Sequence, residues 1–216
     1  MRRTIPFLFA INLFAGCVTT ELIGSLKTSQ DEPKKYQKLG VVVLSPTMYN
    51  RSTVELAVAD KLRSKGINAK ATFDIFPFAG KISEIRESGM SEEMIQQKVR
   101  QRVVENQLDA VLILTLLDKE KETRYVEGTS FSIGAPVYGY PYYGYYGYAY
   151  STVYSSGYYT TSTKYFVETN LYDVATEKLI WTGQTKTSDP ESIEKGAPAF
   201  ADIIVNDMLA KKALIP

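Results

Sequence analysis

The chain has 216 residues, with 25 Lys and Arg against 24 Asp and Glu, a balance that offers no electrostatic case for nucleic acid. It contains no histidine and a single cysteine, which removes Ser-His-Asp and Cys-His nucleophile systems, His-based zinc sites and cysteine-held clusters. With 44% hydrophobic residues, the length suits one core plus a tail.

The chain opens with Arg2 and Arg3, then an apolar run from Ile5 to Phe14 closed by the small residues Ala15 and Gly16, directly before Cys17. That run is about half of the roughly 20 residues a membrane-spanning helix needs, and its small-residue exit suits peptidase cleavage. The stretch Leu13-Phe14-Ala15-Gly16-Cys17 resembles the lipobox of bacterial lipoproteins, with Phe14 where that class prefers Leu. The resemblance implies a signal peptide over residues 1–16 and a diacylglyceryl group on the Cys17 thiol, which becomes the acylated N-terminus. Two other readings stay open, a secretory signal with a chance cysteine and a cytosolic protein with a buried N-terminal helix. Several acyl chains, at about 0.8 kcal/mol per buried CH2, would anchor the chain permanently. Val18 in place of Asp after the cysteine favours the outer membrane under the enterobacterial sorting rule that the resemblance implies. The expected location is therefore the outer membrane, facing the periplasm, with a surface-facing orientation as the alternative.

Residues 17–37 read as the lipidated cysteine and a flexible tether, with a reach of about 25 Å and room for a helical turn at Leu22 to Leu26. The remainder, 38–216, reads as a single α/β domain. Leu39 to Leu44 is a β-branched, wholly apolar strand of the kind covered on both faces. Ser52 and Glu55 have capping-box spacing, and a helix runs from there to Gly66. The connection Ser45 to Arg51 has no glycine, so neither a P-loop nor a dinucleotide fingerprint is present.

Ile67 to Phe76 alternates as a second strand, and Phe78 to Gly89 is looser. Ser91 caps a helix with Ile95, Val99 and Val103 on its buried stripe and Arg100, Arg102 and Glu105 on its wet side. Leu108 to Leu117 is the central strand. Its extended character runs on through the charged Asp118 to Glu122, the pattern of a strand leaving the core. A hairpin follows, from Thr163 to Leu171 and back from Lys178 to Thr187 around a turn at Asp173 to Glu177. The last helix starts near Ser188 to Glu191, is broken or kinked by Gly196 and Pro198, and buries Ile203, Ile204, Met208 and Leu209. The fold class is α/β (α+β), a single mixed sheet of about five strands with about three helices in the order β-α-β-α-β-β-β-α.

Between the third and fourth strands, at about 128–162, lies a Tyr/Gly-rich insertion. Tyr138 to Tyr159 holds 11 of the 16 tyrosines, among them Tyr138, Tyr140, Tyr142, Tyr143, Tyr145, Tyr146, Tyr148 and Tyr150. Gly and Pro recur too often for a long helix, and so many phenols could not all find partners in a core. Three readings compete: a low-complexity insertion, an adhesive surface of stiff amphipathic rings for a protein, glycan or sister subunit, and a segment in the lipid headgroup zone.

The element order, with Leu171-Tyr172-Asp173-Val174-Ala175-Thr176-Glu177-Lys178-Leu179-Ile180-Trp181 and a final helix, is similar to small envelope lipoproteins. It resembles in topology the periplasmic domains of the curli secretion lipoprotein CsgG and of the exopolysaccharide lipoprotein PelC. The resemblance implies a binding or assembly part, often a ring, and not an enzyme. The expectation is a non-enzymatic, lipid-anchored envelope protein with no cofactor, no metal and no catalytic residue, acting in envelope assembly, transport or surface attachment. Its expected partners are the membrane, an envelope protein or glycan, and in one alternative further copies of itself in an export ring. Another alternative is a carboxylate- or metal-dependent hydrolase, for which Glu84, Glu87, Glu92 and Glu93 are dense enough. Glu92 and Glu93 also suit the first turn of a helix, where acids complement the dipole.

Overall fold

A computed structural model describes residues 19–28, 32–76, 89–121, 141, 163–188, 190 and 192–216. It holds β1 (Thr19–Lys27), β2 (Leu39–Leu44), α1 (Met48–Ser64), β3 (Ala69–Ala71) and α2 (Glu92–Glu105). These are followed by β4 (Ala110–Lys121), β5 (Thr163–Asp173), β6 (Leu179–Ser188) and α3 (Ile193–Ala210). One six-stranded sheet has the order β1-β6-β5-β4-β2-β3. β2 pairs parallel with β3 and β4, while β4, β5, β6 and β1 pair antiparallel in succession. The mixed sheet and three helices match the sequence expectation, with one strand added.

The period of two along β2 and β4 divides the core in two. Val41, Val43, Leu112 and Leu114 face α1 and α3, which supply Val58, Leu62, Phe200, Ile204 and Met208. Val42, Leu44, Val111 and Ile113 face the other way, onto Val99 and Val103 of α2. Full burial of such a side chain is worth about 1.5–3 kcal/mol, so both layers drive the sheet's assembly. Ser91 caps α2 as expected, its Oγ accepting from the Met94 amide at 3.3 Å.

The added strand corrects the reading of residues 17–37 as a tether. Thr19–Lys27 is neither flexible nor a helical turn but the sheet edge beside β6, with a bulge between Leu22 and Gly24. Thr28 and residues 32–38 are fastened at the ends of β6, β5 and β4 before the chain enters β2. The Thr28 amide donates to the Ile180 carbonyl at 2.9 Å, and Lys34 pairs with Asp173 at 2.6 Å. Tyr36 is buried, and Asp109 accepts from the Gln37 and Lys38 amides at 2.6 and 2.9 Å.

Three boundaries also differ. α1 starts five residues earlier than the Ser52 box implies, because the Thr47 hydroxyl accepts from the Asn50 amide. α3 starts after Ser192 and passes through Gly196 and Pro198, which forgoes one backbone bond without ending the helix. Its fully buried stripe is Ala197, Phe200, Ala201, Ile204, Val205 and Met208, with Ile203 and Leu209 half-buried. β3 ends at Ala71 and not at Phe76, because Glu55 diverts the chain.

That carboxylate, wholly buried, accepts from the Val43 amide at 2.9 Å and the Thr72 amide at 2.7 Å. Arg51, equally buried, donates to Glu55 at 3.3 Å and through Nε to the Val43 carbonyl at 3.2 Å. The pair closes the ends of β2 and β3 onto α1, so Glu55 is a staple and not a cap. Burial pushes its pKa from 4.5 up to about 7, against the opposite pull of Arg51 and the amides of Val43, Thr72 and Phe73. The folded chain therefore holds this proton more tightly than the unfolded chain between those values, and stability declines as pH rises through that window. Urea unfolding at about pH 5 and about pH 8 should show the decline, and Glu55→Gln should flatten it; an equal slope in both proteins contradicts this assignment.

Candidate functional site

The functional residues expected from sequence fall in two places, and both lie outside the described residues. Cys17 precedes β1 by two positions, and Tyr138, Tyr140, Tyr142, Tyr143, Tyr145, Tyr146, Tyr148 and Tyr150 lie between β4 and β5. Their attachment points, however, are described, and the sheet brings those attachment points together.

β2 stops at Leu44, opposite Thr115 of β4, whereas β4 continues to Lys121. Six further residues at about 3.3 Å each carry the sheet roughly 20 Å beyond the α/β core. The charged continuation anticipated after Leu117 is this projection. Asp118, Lys119 and Glu120 are exposed and pair with Phe166, Tyr165 and Lys164 of β5. β6 and β1 complete the projecting end through the pairs Lys164 with Ser188 and Thr19 with Ser188. Side chains reinforce it. The Lys119 ammonium lies 5.0 Å from the centre of the Tyr165 ring, Thr20 and Thr187 share a hydroxyl bond at 3.1 Å, and Lys186 pairs with Glu21.

The edge strand is further clamped to α3 by a polar cluster that sequence reasoning missed. Trp181, fully buried on β6, donates its indole N–H to Asp207 Oδ2 at 2.9 Å, and Ser25 Oγ donates to the same oxygen at 2.6 Å. Lys211 adds an ion pair to Asp207 at 3.5 Å and donates to the Ser25 carbonyl at 2.7 Å. The indole lies across Gly183, where an added Cβ would come within 2.4 Å of the ring. Only a glycine lets the tryptophan lie flat there. The one visible signal was Trp181 with Gly183 two places on, the same face of a strand.

Glu84 and Glu87 lie outside the described residues, and Glu93 is fully exposed in the first turn of α2, its pKa lowered by the Ser91 hydroxyl. Among the described residues no three acidic side chains gather where they could share a cation. The Asp173 carboxyl, between burial that raises its pKa and Lys34 and Thr176 that lower it, settles below the ordinary value. It closes the β5–β6 turn by accepting from the Thr176 amide at 2.8 Å and hydroxyl at 2.9 Å.

No family model matches the chain, and no curated protein matches it in sequence. Among solved structures, it is similar to a point-substituted PelC dodecamer from Paraburkholderia phytofirmans, with 13% identity, 88% of this chain and 98% of that chain covered, and a TM-score of 0.42. The PelC dodecamer from the same organism, in another crystal form, gives 13% identity, 88% and 96% coverage and a TM-score of 0.40. The lipoprotein GNA1162 from Neisseria meningitidis gives 15% identity, 80% and 98% coverage and a TM-score of 0.36. Likeness at this level assigns neither a function nor an assembly state to this chain.

The clamp makes a direct prediction. Asp207→Ala leaves the buried Trp181 N–H without its acceptor and should lower stability in urea by about 1–3 kcal/mol, whereas Trp181→Phe in the Asp207→Ala background should cost less than in the native chain. Equal costs in the two backgrounds would show that the indole and carboxylate do not act together.

Proposed function

We propose that this protein is a non-enzymatic, lipid-anchored envelope component that presents its tyrosine-rich insertion to an envelope partner, a protein or glycan. The observation that carries the reading is the shared origin of the two functional segments. Residue 19, two positions after Cys17, and Lys121 and Thr163, which flank 122–162, all occupy the projecting end of the sheet. The described residues that flank the anchor and the insertion thus lie on one side of the domain.

Three charged pairs among the described residues bind elements of the fold together. Glu55 and Arg51 join strand ends to a helix, Asp173 and Lys34 fasten residues 32–38 at the end of β5, and Asp207 and Lys211 hold the edge strand. Each is occupied in holding elements together. Tyrosine in the insertion offers large contact area at low entropic cost, which suits recognition of a broad surface.

Deleting 137–159 tests the contact role. The shortened protein should keep the native urea midpoint, because the cores formed by the described residues need none of the deleted segment. Photoreactive residues at 140 and 145 of the complete protein should crosslink in cells to a defined partner, and the deleted protein should no longer recover it. Undiminished recovery after the deletion contradicts the reading.

A further inference from the structure

The sheet register fixes more than a common side. Ser188 pairs with both Thr19 and Lys164, and Lys121 pairs with Thr163. At about 4.8 Å per strand, Thr19 lies about 10 Å from Lys164 and about 14 Å from the end of β4. Only Val18 stands between Cys17 and Thr19, and two residues span at most about 7 Å. A tether of about 25 Å would let the domain tumble freely, but this connection does not. Nor can β1 peel away to lengthen it, since β6 pairs along its length and Asp207 and Lys211 grip Ser25.

Building on the reading of Cys17 as an acylated N-terminus, we propose that the domain stands end-on at the bilayer. The end rows of β1, β6, β5 and β4 face the lipid headgroups, and the 122–162 insertion starts and finishes at that surface. The opposite end, with the β5–β6 turn, points away from the membrane at a distance of about 30 Å, the length of β6. Charge does not hold this arrangement. Among the described residues Lys119, Lys121, Lys164 and Lys186 stand against Asp118, Glu120 and Glu21 on the same end, a near balance, so contact depends chiefly on the acyl chains and the short connection and little on anionic lipid.

The single native cysteine is consumed by the anchor, so an introduced cysteine is a unique labelling point. The full-length lipidated protein carrying Ser188→Cys, or Glu21→Cys as a second near-end variant, is labelled with a fluorophore and placed in phosphatidylethanolamine–phosphatidylglycerol vesicles containing a headgroup-level quencher. Quenching should be several-fold stronger than for a label at Ala175→Cys in the exposed turn, and should persist at about 1 M salt. A Gly/Ser insertion of about 12 residues between Val18 and Thr19, with a reach of about 20 Å, should lower quenching at the near end while the protein stays on the vesicles. Equal quenching at both ends, or quenching unmoved by the insertion, overturns the end-on arrangement. Mass measurement of the N-terminal peptide separates the two levels: an unmodified Cys17 overturns the lipoprotein reading and this inference with it, whereas an acylated Cys17 with equal quenching overturns the orientation alone.

Discussion

The pairing of β1 with β6 is the constraint on which the functional account depends. Without it, residues 19–27 would be a free chain and the position of anything attached before them would be undefined. With it, residues 19–27 are part of the sheet. Little apolar burial drives that pairing, since Ile23 and Leu26 are each 46% exposed. Backbone hydrogen bonds to a strand some 160 residues away hold the edge, together with the Asp207 cluster and the ion pair of Lys186 with Glu21. A shared carboxylate oxygen serving Trp181 and Ser25 couples the outermost strand to the main core, so that loosening either weakens both.

The two charge clusters, one buried and one half-buried, have complementary jobs. Arg51 and Glu55 terminate the short parallel strands and turn β3 away after Ala71, which leaves β2 and β3 ending well before β4. Asp207 and Lys211 secure the long antiparallel strands on the other side. The sheet therefore ends unevenly: a two-layered core under the parallel half, and a four-stranded projection on the antiparallel half. Function is proposed for the projection because the chain's unusual composition is attached there, not because a cleft or reactive group marks it.

The parts of this arrangement that were legible from sequence are those with strong local patterns. Leu39 to Leu44 and the aliphatic run Leu108 to Leu117 announced buried strands, the second beginning two residues later at Ala110, Ser91 with Ile95, Val99 and Val103 announced α2, and the Asp173 to Glu177 turn announced the hairpin. β1 was illegible for a physical reason. Its bulge at Ile23 breaks the alternation, its inward contacts include polar Ser25, and its partner is distant in the chain. Glu55 misled because its spacing from Ser52 suits a capping box, while its carboxylate is spent on the amides of Val43 and Thr72. Asp207 carried no local signal, being one of several polar residues on a helix, and its role exists only where α3, β6 and β1 meet.

Amide hydrogen exchange of the full-length protein over residues 19–27 tests the central claim most directly. If this segment is a clamped edge strand, amides that bond β6 exchange far more slowly than a free chain, and protection at Gly24 and Leu26, whose amides face β6 on either side of Ser25, falls when Asp207 is replaced. Exchange across the segment at the rate of an unstructured peptide would restore the tether and leave the anchor's position relative to the domain undetermined.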